Sequence, residues 1–174
     1  KSKMLEEGWS QTSCERAIFT RTKNGKMQYM ALYVDDILIA TDHIDDMVQA
    51  KAEIQKHFIT KDKGHCTEFL GIEINYDREK GTVELSQVTM KQAFLDEECP
   101  SATRKAETPM LPDIKLPAPE ENVSQENITH YKSLLGSLAY FARVSQPEIL
   151  YAVNILARYQ EGPSKEHFKA IYQV

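Results

Sequence analysis

A chain of 174 residues, 41% hydrophobic and 27% charged, has a globular composition and enough material for a real core. No run of eighteen uncharged apolar residues occurs, which excludes a membrane-spanning helix, and the opening Lys1-Ser2-Lys3-Met4 leads into no secretory apolar segment. The net charge of −5 argues against a strongly basic nucleic-acid binder, yet residues 96–126 hold eight acids against three basic residues and account for all of it.

What remains is neutral, and residues 51–63 lean basic through Lys51, Lys56, Lys61 and Lys63. Such a stretch is either a modest phosphate-contacting surface or the wet face of a helix. Cys14, Cys66 and Cys99 are odd in number, far apart and without a Cys-x-x-Cys pair. That is the pattern of reduced thiols in an intracellular protein. His57, His65 and Cys66 match no standard zinc spacing.

Residues 1–26 are polar and mixed, with a short apolar segment Ala17-Ile18-Phe19 and a turn signal at Asn24-Gly25. The turn is expected to join a strand ending near Thr22 to a strand Lys26–Val34, and with Ile37–Ala40 these make an antiparallel meander. Asp42 is the expected cap of a helix over 43–58, with Ile44, Met47, Val48, Lys51, Ile54 and Phe58 at helical spacing. After Gly64, residues 69–74 and 82–85 read as two strands joined by a turn at 77–81. Ser86 then caps a short helix, 87–95.

A composition break follows. Residues 96–126 contain five of the seven prolines, Pro100, Pro109, Pro112, Pro117 and Pro119, and suit a linker or a long wrapping loop. Two helices are expected next, 129–142 with Leu134, Leu135, Leu138 and Phe141 inward, and 147–160 with Pro147 at its first position and Gly162-Pro163 stopping it. Ser164 caps a third helix that is cut short. The missing initiator Met and this ending suggest a piece excised from something longer. The fold class is α+β: an antiparallel sheet with a packed helix over residues 1–95, an acidic Pro-rich linker over 96–128, and a small helical bundle over 129–174.

Against this background Asp35 and Asp36 are out of place. Met30-Ala31-Leu32 leads into Tyr33-Val34-Asp35-Asp36, and Ile37-Leu38-Ile39-Ala40 follows. Carboxylates in apolar surroundings need compensation by water at a turn, a basic partner or a cation. A β-hairpin with a tight two-residue turn lifts both to the rim of a sheet, where they are either a solvated turn or a functional pair.

Several blocks resemble, in order, the reverse transcriptase of Ty1/copia-type retrotransposons. They are Gly8-Trp9-Ser10-Gln11 with Cys14 to Phe19, the Leu32 to Ala40 run in place of the Tyr-x-Asp-Asp hairpin, Phe58 with Lys61-Asp62 and Gly64, Phe69 to Ile74, Leu85-Ser86-Gln87, Thr108-Pro109, Tyr131 with Leu135 to Leu138, Pro147-Glu148-Ile149 with Tyr151-Ala152-Val153, and Pro163 with His167. The resemblance implies the later part of a polymerase palm up to about residue 95, then a thumb or connection region leading toward an RNase H domain. It makes Asp35 and Asp36 members of a carboxylate set holding two Mg²⁺ ions, Asp35 for direct coordination and Asp36 in support. The third family Asp, with the fingers and the nucleotide-binding residues, belongs to a preceding segment, so this piece is expected not to polymerise alone. Tyr33, Lys61, Leu70 and Gly71 are the implied primer–template residues, with Tyr33 expected to pack at the hairpin base, and a dNTP is the implied second substrate. The location implied is the cytoplasm, including virus-like particles, or the nucleus. Lys63, His65, Met90, Gln146 and Glu148 depart from the family pattern. The competing reading is an inactive retrotransposon-derived remnant serving as a nucleic-acid or protein interaction module.

Overall fold

The computed structural model describes residues 2–99 and 106–174. Lys1 and the Pro100 end of the expected linker therefore lie outside the described residues. The class is α+β with antiparallel sheets, and the chain divides into two compact units, residues 1–66 and 67–174.

In the first unit a short helix α1 (Ser2–Glu6) precedes a four-stranded antiparallel sheet in the order β1 (Ser10–Gln11), β2 (Ile18–Lys23), β3 (Lys26–Tyr33), β4 (Asp36–Ala40). The register sets Phe19 opposite Met30, Met30 opposite Ile39, and Arg21 opposite Gln28. Alternation then puts Phe19, Arg21, Gln28, Met30, Leu32, Ile37 and Ile39 on one face. Helix α2 (Ile44–Gln55) contributes to the core beneath that face through Ala50 and Ile54, and Met4 and Trp9 complete it.

Two expectations for α2 are corrected. Asp42 does not cap it: the N-cap is His43, without a side-chain cap bond, and Asp42 pairs with Lys26 at 3.5 Å. Nor does the whole stripe at helical spacing face inward: of its six residues only Ile54 is buried. Ile44 is 76% and Val48 61% exposed, whereas Asp46, Ala50, Glu53 and Ile54 are buried.

The reason is a buried cation. Arg21 stands in the core face of β2, its guanidinium 4.3 Å from the centre of the Trp9 ring. It donates to the Glu53 carboxylate, to the Gln28 side chain at 2.7 Å and to the Glu7 carbonyl at 3.0 Å. A charge taken out of water must be paired, so the helix turns Glu53 rather than Val48 toward the sheet. Burial raises the Glu53 pKa, but the hydrogen bonds from Arg21 and from Lys23, at 3.1 Å, win and hold it below its ordinary value.

The second unit begins with a three-stranded antiparallel sheet, β5 (Glu68–Phe69), β6 (Ile72–Asp77) and β7 (Thr82–Ser86). The expected single strand 69–74 is broken at Leu70-Gly71, because Phe69 pairs with Ile72 across a two-residue turn. Both turn residues have positive φ, +55° and +74°, the signature of a type I′ hairpin. Helix α3 (Val88–Glu98) follows, and its N-cap is Gln87, not Ser86. The Ser86 hydroxyl instead donates to Glu73, which also accepts from the Thr89 N–H at 2.9 Å. Those bonds, led by the one from Ser86, hold the Glu73 carboxyl down at about 2.

Between α3 and α4 (Gln125–Val144) the described residues carry no helix or strand. Met110, Ile114 and Leu116 nevertheless pack on the helical core, and the Glu120 N–H donates to the Gly162 carbonyl at 2.9 Å. Helix α4 starts earlier than expected because Ser124 caps it, accepting from the Asn127 N–H. The expected helix 147–160 resolves into a 3₁₀ turn Pro147–Ile149, α5 (Leu150–Leu156) and a 3₁₀ turn Ala157–Tyr159. The last helix, α6 (Lys165–Ile171), has the expected Ser164 cap, in a capping box with His167. Tyr131, Leu134, Leu135, Leu138 and Phe141 of α4 form the core with Val153, Leu156 and Ile171.

His167 is fully buried. Its Nδ1 accepts from the Ser164 N–H at 2.8 Å, so Nε2 carries the proton and donates to the Pro117 carbonyl at 3.2 Å. The ring stacks on Tyr159 with centroids 4.0 Å apart.

Two predictions follow from these buried groups. Glu53→Ala strands Arg21 without its counter-ion and is expected to destabilise the first unit by about 3–5 kcal/mol in urea denaturation. Burial lowers the pKa of His167 from its ordinary 6.5. Its contribution is therefore complete above pH 6.5 and declines as the pH falls toward the depressed folded value, because the unfolded chain binds the proton more readily. Denaturation of the chain between pH 7.5 and 5 should show that decline for the second unit, and His167→Asn should flatten it.

Candidate active site

Strands β3 and β4 are apolar because their core face must be, and the chain can reverse between them only where backbone and side chains leave the sheet. Tyr33 pairs with Asp36, so the two turn residues are Val34 and Asp35. The expected Asp-Asp turn is thus shifted by one residue. Asp36 is the first residue of β4, and Asp35 alone of the two acids stands in the turn.

Val34 has a φ of +51°, the only positive value in this turn, as at the first central position of a type II′ turn. Glycine is the usual residue there, and a β-branched side chain in that region is a genuine outlier. The strain sits between Tyr33 and the two carboxylates. Val34 is 90% exposed and gains nothing from packing that would offset it.

Asp35 is exposed and Asp36 half-exposed. Of the three compensations available to such a pair, the structure contains a basic partner: Lys63 Nζ lies 3.3 Å from Asp36 Oδ1. Two adjacent carboxylates offer the hard oxygen donors that Mg²⁺ prefers, and fit one part of a two-ion site. Among the described residues no group of three or more His, Cys, Asp or Glu side chains gathers that could hold a metal ion, so the donor set they supply is partial.

The remaining predicted residues fall in both units. Tyr33, expected to pack at the hairpin base, is instead 56% exposed. It shares the outer face of the sheet with Tyr29, because both lie on β3 an even number of residues apart. Lys61 is in the loop after α2, beside Asp62, which Lys51 grips at 2.9 Å. Leu70 and Gly71 form the β5–β6 turn. There the Tyr140 hydroxyl donates to the Leu70 carbonyl at 2.6 Å, and a Cβ on Gly71 would collide with the Met90 methyl group. Gly71 is thus required by a close approach within its own unit as well as by its positive φ.

Sequence reasoning missed Lys63 as the partner of Asp36, and missed Arg21 and Glu53 altogether. An Arg at an inward position of a strand that alternates Phe19-Thr20-Arg21-Thr22 was the available signal for the latter pair.

Comparison with known proteins gives a consistent family. The profile described as "Reverse transcriptase (RNA-dependent DNA polymerase)" matches residues 1–112. The chain is 29% identical over 158 residues to the retrovirus-related Pol polyprotein from transposon TNT 1-94 of Nicotiana tabacum, covering 88% of the chain and 12% of that protein. It is 29% identical over 171 residues to the retrovirus-related Pol polyprotein from transposon RE1 of Arabidopsis thaliana, with 98% and 11% covered. A transposon Ty5-1 protein of Saccharomyces cerevisiae is 28% identical over 171 residues, with 96% and 54% covered. The chain therefore spans a small part of the two polyproteins and about half of the yeast protein. No solved structure matches it.

The strain at the turn has a direct test. Val34→Gly is expected to stabilise the first unit by about 0.5–1 kcal/mol, the relief of a left-handed β-branched residue less the chain entropy of glycine, measured by urea denaturation.

Proposed function

The chain belongs to the reverse transcriptase (RNA-dependent DNA polymerase) family, in its Ty1/copia form, and on that premise we propose that it supplies part of the nucleotidyl-transfer site of a Pol polyprotein. The observation that carries this reading is the hairpin itself. Family membership and an exposed, strained turn coincide at Asp35 and Asp36, and residues in sparsely populated backbone regions cluster where function requires them.

In this reading residues 1–95 are the later palm, 96–128 a linker, and 129–174 a thumb or connection region. Fingers and the first half of the palm precede them, and an RNase H domain follows, in one polyprotein. Asp35 coordinates and Asp36 supports. The two Mg²⁺ ions, when bound, supply charge for the α-phosphate and leaving oxygen and lower the pKa of the primer 3′-hydroxyl. The chain's own residues orient and hold. Asp35 presents its carboxylate clear of the sheet. In the first unit Tyr33, flanking the turn on the outer face, meets the primer end and Lys61 a backbone phosphate; in the second, Leu70-Gly71 is a primer–template contact by resemblance. The dNTP is held chiefly by the preceding segment. We place the protein inside the cell, in the cytoplasm or nucleus.

In this reading the third carboxylate belongs to the preceding segment, so primer extension with Mg²⁺, template and dNTP is expected to give no product from the isolated chain. Joined to its upstream palm half, it should extend a primer, and Asp35→Asn should lower the rate by about a hundredfold or more. Robust extension by the isolated chain would refute the partial-site reading. No extension by the longer protein would favour the inactive remnant.

A further inference from the structure

The contact between Lys63 and Asp36 is not an accident of two long side chains meeting. Lys63 lies in the loop 61–64, which is fixed by its central acid. Asp62 receives both of its oxygens' bonds from Lys51 of α2 at 2.9 Å, and its Oδ1 also accepts the Gly64 N–H at 2.8 Å. Those bonds, the Gly64 amide first, hold the Asp62 carboxyl below its ordinary range. Gly64 turns the chain with a φ of +79°. A loop held in this way carries its next residue, Lys63, to the tip of the hairpin, where the ammonium stands 3.3 Å from Asp36 Oδ1.

Resting on the reading above, we infer that Lys63 is a tethered counter-ion of the carboxylate pair, whose ammonium, held on Asp36, competes with a divalent cation at the pair. The chemistry is that of one site with two candidate cations. Asp35 and Asp36 are adjacent, and their mutual repulsion is offset by whichever positive charge lies nearest. A divalent ion held by Asp35 with Asp36 in support must displace the ammonium or tolerate it a few ångströms away, and either lowers the ion's affinity. Lys63 acts through Asp36 and is a positioning residue, not a catalytic one.

Mn²⁺ titrated into the full 174-residue chain, with the free ion counted by electron paramagnetic resonance and the hairpin amides watched for paramagnetic broadening, tests the inference. Lys63→Leu and Lys63→Gln should bind Mn²⁺ about fivefold more tightly than the unaltered chain, the weight of one contact between unit charges in water. Lys61→Leu removes the same charge from the same loop and should change the affinity little, and Asp35→Asn should abolish broadening at the tip. Equal Mn²⁺ affinity with and without Lys63, with broadening still dependent on Asp35, would overturn the inference while leaving the metal role of the hairpin standing. An effect of Lys61→Leu as large as that of Lys63→Leu would also overturn it, since surface potential would then suffice. If no variant shows Mn²⁺ at the hairpin, the inference and the metal reading fall together.

Discussion

The first unit is organised around a cation with nowhere else to go. Arg21 is placed on the core face of β2 by strand alternation, and a guanidinium there must be paired or the sheet does not bury that face. Glu53 answers from α2, Gln28 from the neighbouring strand and the Glu7 carbonyl from the segment after α1. These bonds fix the rotation of α2 against the sheet and hence which of its residues meet water. They also anchor β3 from below, so that the hairpin at its far end projects from a rigid base.

That base is what lets the tip remain costly. Two adjacent carboxylates repel, Val34 occupies a backbone region that β-branched residues avoid, and neither side chain is covered. A turn built for stability would place Gly at the Val34 position. Strain of this size persists only where surrounding structure fixes the ends of the turn, here the Tyr33–Asp36 pair and the ladder behind it. Lys63 then contributes a charge of the opposite sign from a loop secured through Asp62. The second unit uses the same device for architecture alone. Glu73 reaches from β6 to the start of α3, and His167 ties the end of a proline-rich stretch to the cap of α6.

The order of the longer elements is legible along the chain, because turn residues and apolar periods are local, whereas α1, β1 and the break between β5 and β6 are not. Asn24-Gly25, the alternation of Lys26 to Tyr33, the Ser164 cap and the Leu134 to Phe141 stripe each act over a few residues and need no partner elsewhere. The sequence also carried the family, through ordered blocks spread along the chain. Only the tertiary structure decided the matters that depend on residues distant in sequence. Val48, at helical spacing with Ile54, is nevertheless outside because Glu53 had to meet Arg21, thirty-two positions away. Ser86 and Asp42 do not cap their helices because they bond Glu73 and Lys26 instead, since a side chain takes the partner that folding brings nearest. The turn residues moved from Asp35-Asp36 to Val34-Asp35 because register is fixed by the whole ladder and its buried face, not by the turn alone.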